Sequence, residues 1–95
     1  MGNIELIEEI REKIDKLDLK ILDLIDSRKK LVDEVVKLKT KEQIVDQKRI
    51  EKILNKLDKQ ARKKELPEGM IVGMWKKMIS SFIEYEKKYF ENNQK

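Results

Sequence analysis

Apolar residues return every three or four positions through the first forty or so residues of the chain. Ile7, Ile10, Ile14, Leu17, Ile21, Leu24, Arg28, Leu31, Val35 and Leu38 are spaced alternately by three and four, which is the pattern of a helix offering one seam to a partner. Leu22, Ile25, Val32 and Val36 widen the stripe on its flank, so more than one neighbour has to cover it. The spacing predicts a first helix from about Ile4 to about Lys41. At 1.5 Å per residue such a helix is roughly 55 Å long, whereas a 100-residue domain has a radius of gyration near about 13 Å. It overhangs a single small domain, and a second copy of the chain is the expected cover.

A short connection ends at Val45-Asp46. Beyond it, Ile50, Ile53, Leu54, Leu57 and Ala61 share one face, predicting a second helix that reaches about Glu65 with Asp46 as N-cap. Leu66-Pro67-Glu68-Gly69 breaks the period. A third helix is predicted from about Pro67, a residue suited to a first turn, to Glu91. Its apolar face is Ile71, Trp75, Met78, Ile79, Phe82, Tyr89 and Phe90, with Glu86 among them. No stretch alternates as a strand does. The expected fold class is all-α, a three-helix protomer with one long N-terminal helix, residues 1–95 making one helical domain.

Composition narrows the chemistry. The 95 residues carry no Cys and no His, which removes disulfides, Cys- and His-based zinc sites, Cys or His nucleophiles and histidine general bases. No apolar run approaches the roughly 20 residues needed to cross a bilayer, and the N-terminus lacks a secretory apolar region. Leu6 stands where a myristoylation motif after Met1-Gly2 wants Ser or Thr. A cytoplasmic location is expected. Lys and Arg total 23 against 19 Asp and Glu, for a net charge of +4. The two signs are mixed along the whole chain, so no nucleic-acid face is expected. A small anion would suit the surplus if the cations converge.

Two charges violate the helical pattern. Arg28 occupies the seam between Leu24 and Leu31, and Glu86 falls four residues after Phe82 and three before Tyr89. Burying an ion without a partner costs several kcal/mol, so each needs an opposite charge, a ligand or a changed protonation state. One reading pairs the two as a register-setting bridge. The other places them in a polar pocket, since facing helices commonly build sites in a bundle core. Lys39 lies 11 residues after Arg28, almost whole turns on, so the two project from nearly one face. Arg11 lies 17 residues before Arg28 and points about 100° away from it. Arg11 is therefore better placed to reach a partner's site than its own. Arg49 falls in the first turn of the second helix, where a helix N-terminus favours anions. These four cations would suit a small dicarboxylate, which the planar fork of Arg grips with two parallel bonds.

The segment IREKIDKLDLKILDLIDSRKKLVDEVVKLK, residues 10–39, resembles the first helix of the all-helical (AroQ-class) chorismate mutases. The likeness rests on Arg11, the Ile14-Asp15-x-x-Asp18 stretch, Arg28 and Lys39 at the family's mutual spacing. Arg49 and the end of the third helix fall where the family keeps its other site residues. The resemblance implies an intertwined homodimer with two equivalent sites, Arg11 reaching the neighbouring subunit's site. It implies that Arg11 and Arg28 bind the carboxylates of chorismate, and that Lys39 donates to the ether oxygen as the C–O bond breaks. Arg49 would support the ring and its carboxylate, and the backbone of Asp46 would help hold the ring hydroxyl. The reaction is a pericyclic rearrangement to prephenate and calls for no nucleophile, metal or cofactor. It needs a folded substrate and cations where negative charge develops.

Three departures from the family pattern stand out. Glu86 occupies a position where most bacterial relatives have a neutral Gln that donates to the ether oxygen. An ionised carboxylate would repel that oxygen, so Glu86 is expected to work protonated, with a rate that favours mildly acidic pH. Ile50 stands where many mutases place a Glu on the ring hydroxyl. An aliphatic residue here, and the SSFIEYEKKYF ending, resemble the isochorismate-pyruvate lyases that share the fold. The stretch from Lys39 to Arg49 is also about two residues shorter than is usual in the family, which leaves Asp46 open to a reading as a helix cap alone. Chorismate mutase is the expected function. A lyase forming salicylate and pyruvate is the alternative enzyme, and a non-catalytic helical dimer or regulatory module the alternative class.

Overall fold

The computed structural model describes residues 2–93. Among these residues all regular structure is helical. In chain order it comprises α1 (Asn3–Val36), a single 3-10 turn (Lys41–Gln43), α2 (Gln47–Lys63) and α3 (Met70–Asn93). The fold class is all-α, as the periodicity predicts.

Helix α1 contains neither Gly nor Pro over its 34 residues. Its solvent faces carry pairs at helical spacing, such as Lys30–Asp26 at 3.0 Å and Arg11–Glu8 at 2.8 Å. Exposed pairs of this kind contribute about 0.3–0.5 kcal/mol each. They favour the helix without fixing its position. The seam residues Ile7, Ile10, Ile14, Leu17, Ile21 and Leu24 are 45–69% exposed in the single chain. On the flank, Ile25 and Val32 are half-buried and Val36 is buried.

The helix stops five residues before the predicted Lys41. Leu38 N–H donates to Val35 O at 3.0 Å and Lys39 N–H to Val36 O at 3.3 Å, the i to i−3 tightening of a last turn. Thr40 is then extended, at φ −86° and ψ 164°. Its N–H donates to Gln43 Oε1 at 2.8 Å, while Gln43 N–H donates to Thr40 O at 3.0 Å. Thr-x-x-Gln is a capping-box sequence. It opens a new turn where the apolar spacing alone would have continued the old helix. Leu38, the last predicted seam residue, is consequently 84% exposed.

The chain divides within α1 into one unit ending at Glu34 and another beginning at Val35. In the second unit α2 packs against α3. The predicted inner face of α2 is the one that is covered, with Ile50, Ile53, Leu54 and Leu57 half-buried and Ala61 buried. On α3, Ile71, Trp75, Met78, Phe82, Tyr89 and Phe90 are half-buried, and Ile79 and Glu86 are buried. Val36 and Ile44 complete the buried apolar set of this unit, at 2% and 6% exposure. Asp46 is the N-cap of α2 as predicted, its side chain accepting from Arg49 N–H at 3.1 Å. At the other end Leu66 N–H donates to Ala61 O and Glu65 N–H to Arg62 O, both at 3.1 Å. This is the Schellman pattern, with Glu65 at φ 56° in the position that usually takes Gly. Pro67 does not enter the first turn of α3. It sits in the connection, where Met70 N–H donates to its carbonyl at 3.2 Å and Gly69 takes φ 76°. A residue in that left-handed conformation cannot continue a right-handed helix backwards to Pro67. No described helix is long and apolar enough to cross a membrane.

Candidate functional site

Glu86 lies on the covered face of α3, among Ile79, Phe82, Tyr89 and Phe90, and is 5% exposed. A carboxylate at that depth loses most of its hydration and requires compensation. Lys39 provides it. Its ammonium lies 3.0 Å from Glu86 Oε1, with its own side chain 26% exposed. This ion pair joins the connection after α1 to the C-terminal third of α3, 47 residues apart in sequence. Lys39 gets there from outside the helix. Because α1 ends at Val36, whole-turn arithmetic from Arg28 does not place Lys39. The tightened turn after Val36 and the extended Thr40 do.

A second group forms at the start of α2. Asp46 accepts from Arg49 N–H through its side chain, and its carbonyl accepts from Ile50 N–H at 3.0 Å. The backbones of three predicted site residues are thereby locked into one turn. The Arg49 side chain is exposed and Ile50 is half-buried. An open cleft of about 470 Å³ runs from Lys39 past Gln43 and Val45 to Asp46 and Lys48. It brings Lys39, the cation of the buried pair, and the α2 N-terminus onto one wall. Arg49 lines the neighbouring groove together with Asp46, Lys52 and Asn55.

The other two predicted cations belong to the first unit. Arg28 is half-buried on α1. Arg11 is exposed, its guanidinium on Glu8 one turn away. Within the second unit the structure thus brings Lys39 to Glu86 and groups Asp46, Arg49 and Ile50. Sequence reasoning overlooked Gln43, which lines this cleft. The Thr40-x-x-Gln43 spacing was the available signal.

A separate cavity of about 300 Å³ at the α2–α3 turn is lined by Asp58, Arg62, Leu66 and Glu68 among others. Arg62 donates to Asp58 at 3.0 Å and approaches Glu68 at 3.9 Å. The hydrogen bond to Asp58, with the charges of Asp58 and Glu68, raises the Arg62 pKa further above its ordinary value. These contacts brace the turn.

A buried carboxyl beside a half-covered ammonium, at the edge of a cleft that ends on a helix N-terminus, can bind an anion and present a donor to a developing negative charge. The family model for chorismate mutase type II matches residues 10–87, a span that includes every predicted site residue. No individual curated protein matches the chain significantly. No solved structure does so either.

Proposed function

The chain belongs to the type II chorismate mutase family, and on that premise we propose that it is a working mutase converting chorismate to prephenate. The observation that carries the proposal is the Lys39–Glu86 pair, a buried carboxyl 3.0 Å from an ammonium whose residue lines a cleft. In this reaction one ether C–O bond breaks and one C–C bond forms within a single molecule, so nothing is added or lost. Lys39 donates to the ether oxygen as its negative charge grows. In its neutral form Glu86 donates to the same oxygen. Each such donor in a water-poor site contributes about 3 kcal/mol to the transition state.

The substrate's two carboxylates fall to Arg28 and Arg11, and Arg49 adds positive charge near the ring. Arg11 serves the site of a second copy, because on one helix it points about 100° from Arg28. The exposed α1 seam supports a homodimer in which that exchange takes place. The backbone turn capped by Asp46 receives the ring hydroxyl, and half-buried Ile50 packs the ring face without bonding to it. A cytoplasmic enzyme of aromatic amino-acid biosynthesis follows from this reading.

Purified protein incubated separately with chorismate and isochorismate tests the assignment. Prephenate from chorismate is the expected product. Salicylate plus pyruvate from isochorismate alone would transfer the assignment to the lyase. Turnover of neither at acidic and neutral pH would leave a non-catalytic helical module.

A further inference from the structure

We propose that Gln43 is a positioning residue for the reaction, holding Lys39 in line with Glu86 through the backbone of Thr40. The inference rests on the reading of Lys39 as the cation at the breaking bond.

Lys39 lies outside any helix, between the end of α1 at Val36 and the 3-10 turn starting at Lys41. A lysine on such a connection carries about 2 kcal/mol of rotamer entropy, and backbone freedom would add to it. Here the backbone is tied on both sides. Upstream, Val36 is 2% exposed, and its carbonyl accepts from Lys39 N–H at 3.3 Å. Downstream, Ile44 is 6% exposed, and its N–H reaches Lys41 O at 3.4 Å. The peptide that directly follows Lys39 has a different tie. Thr40 N–H is held at 2.8 Å by Gln43 Oε1, a side-chain acceptor.

That bond fixes the Lys39–Thr40 peptide plane, and with it the direction in which the Lys39 side chain leaves the chain. Gln43 also lies on the cleft wall with Lys39 and Asp46, so direct contact with substrate is the competing explanation. The two differ chemically. Positioning needs only an acceptor at Oε1, which Glu supplies as well as Gln in a capping box. Contact with a dianion would be hurt by placing a carboxylate there.

The test compares kcat and KM for chorismate in the wild type, Gln43→Ala and Gln43→Glu, with amide hydrogen exchange read at Thr40. Gln43→Ala is expected to lower kcat about tenfold, as loss of alignment does, with KM changed less than about twofold and Thr40 exchange accelerated. Gln43→Glu is expected to restore kcat and Thr40 protection. Because Gln43 is exposed, the variants retain a normal thermal melt. Unchanged kcat in Gln43→Ala would overturn the inference, as would a raised KM without recovered kcat in Gln43→Glu. A wild type that turns over neither chorismate nor isochorismate defeats the functional reading itself and the inference with it. An active wild type with an indifferent Gln43→Ala defeats the inference alone.

Discussion

Glu86 sets burial against charge. It interrupts an apolar face, is 5% exposed, and is tolerated because Lys39 stands 3.0 Å away. Removing the cation alone strands a buried carboxylate, so Lys39→Ala is expected to cost about 3 kcal/mol, read as a lowered urea midpoint. Replacing the carboxyl as well, in Lys39→Ala/Glu86→Gln, should recover part of that loss, since a neutral amide is cheaper to bury. The donor role proposed for Glu86 is separable from its place in the core. Glu86→Gln keeps a hydrogen-bond donor at this position and should retain turnover, whereas Glu86→Ala, which removes it, should lower kcat by about 10²-fold or more. Unchanged kcat in Glu86→Ala would remove Glu86 from the donor role. At this scale the sequence showed that Glu86 was out of place. It left open which cation answers it, because that depends on where a non-helical connection carries Lys39.

Helix ends decide the geometry at the next scale. The inner faces of α2 and α3 were legible from spacing, and the Asp46 cap from residue type. The end of α1 was misjudged, because apolar periodicity runs on through Leu38 while the capping box at Thr40 and Gln43 is polar and local. Asp46 invites a separation of its two possible roles. Asp46→Ala removes the bond to Arg49 N–H and should cost about 1 kcal/mol of stability, seen as a lower melting temperature. Asp46→Asn keeps a cap and should retain both stability and turnover if only the backbone of this turn meets the substrate. At the far end of α2, Glu65 takes φ 56° where Gly is the ordinary choice. A non-glycine residue pays about 1 kcal/mol or more for that conformation, so Glu65→Gly is expected to raise the melting temperature by several degrees without changing kcat.

The whole molecule raises the question of what covers α1. Six seam residues from Ile7 to Leu24 remain 45–69% exposed in the single chain, and burying each such side chain is worth about 1.5–3 kcal/mol. A homodimer that shares Arg11 makes a quantitative prediction. Arg11→Ala and Arg28→Ala should each be inactive alone yet remain folded dimers. Mixed in equal amounts and refolded together, they form mixed dimers in which one site has lost both arginines and the other is intact. About a quarter of wild-type turnover should then return. No recovery in a mixture shown by mass to contain heterodimers would mean that Arg11 serves its own chain or no site at all.

The sequence by itself determined three helices, the covered faces of α2 and α3, and the two misplaced charges. Each of these follows from periodicity or residue chemistry that acts over a few turns. The family likeness too was legible in residues 10–39 and is met by a match over residues 10–87. Only the tertiary structure decided that Lys39 leaves the helix, that it is Lys39 which meets Glu86, and that Gln43 holds the N–H of the Lys39–Thr40 peptide. Those outcomes depend on the hydrogen bonds of a polar connection and on an ion pair that spans 47 residues of sequence, neither of which leaves a periodic signature in the chain.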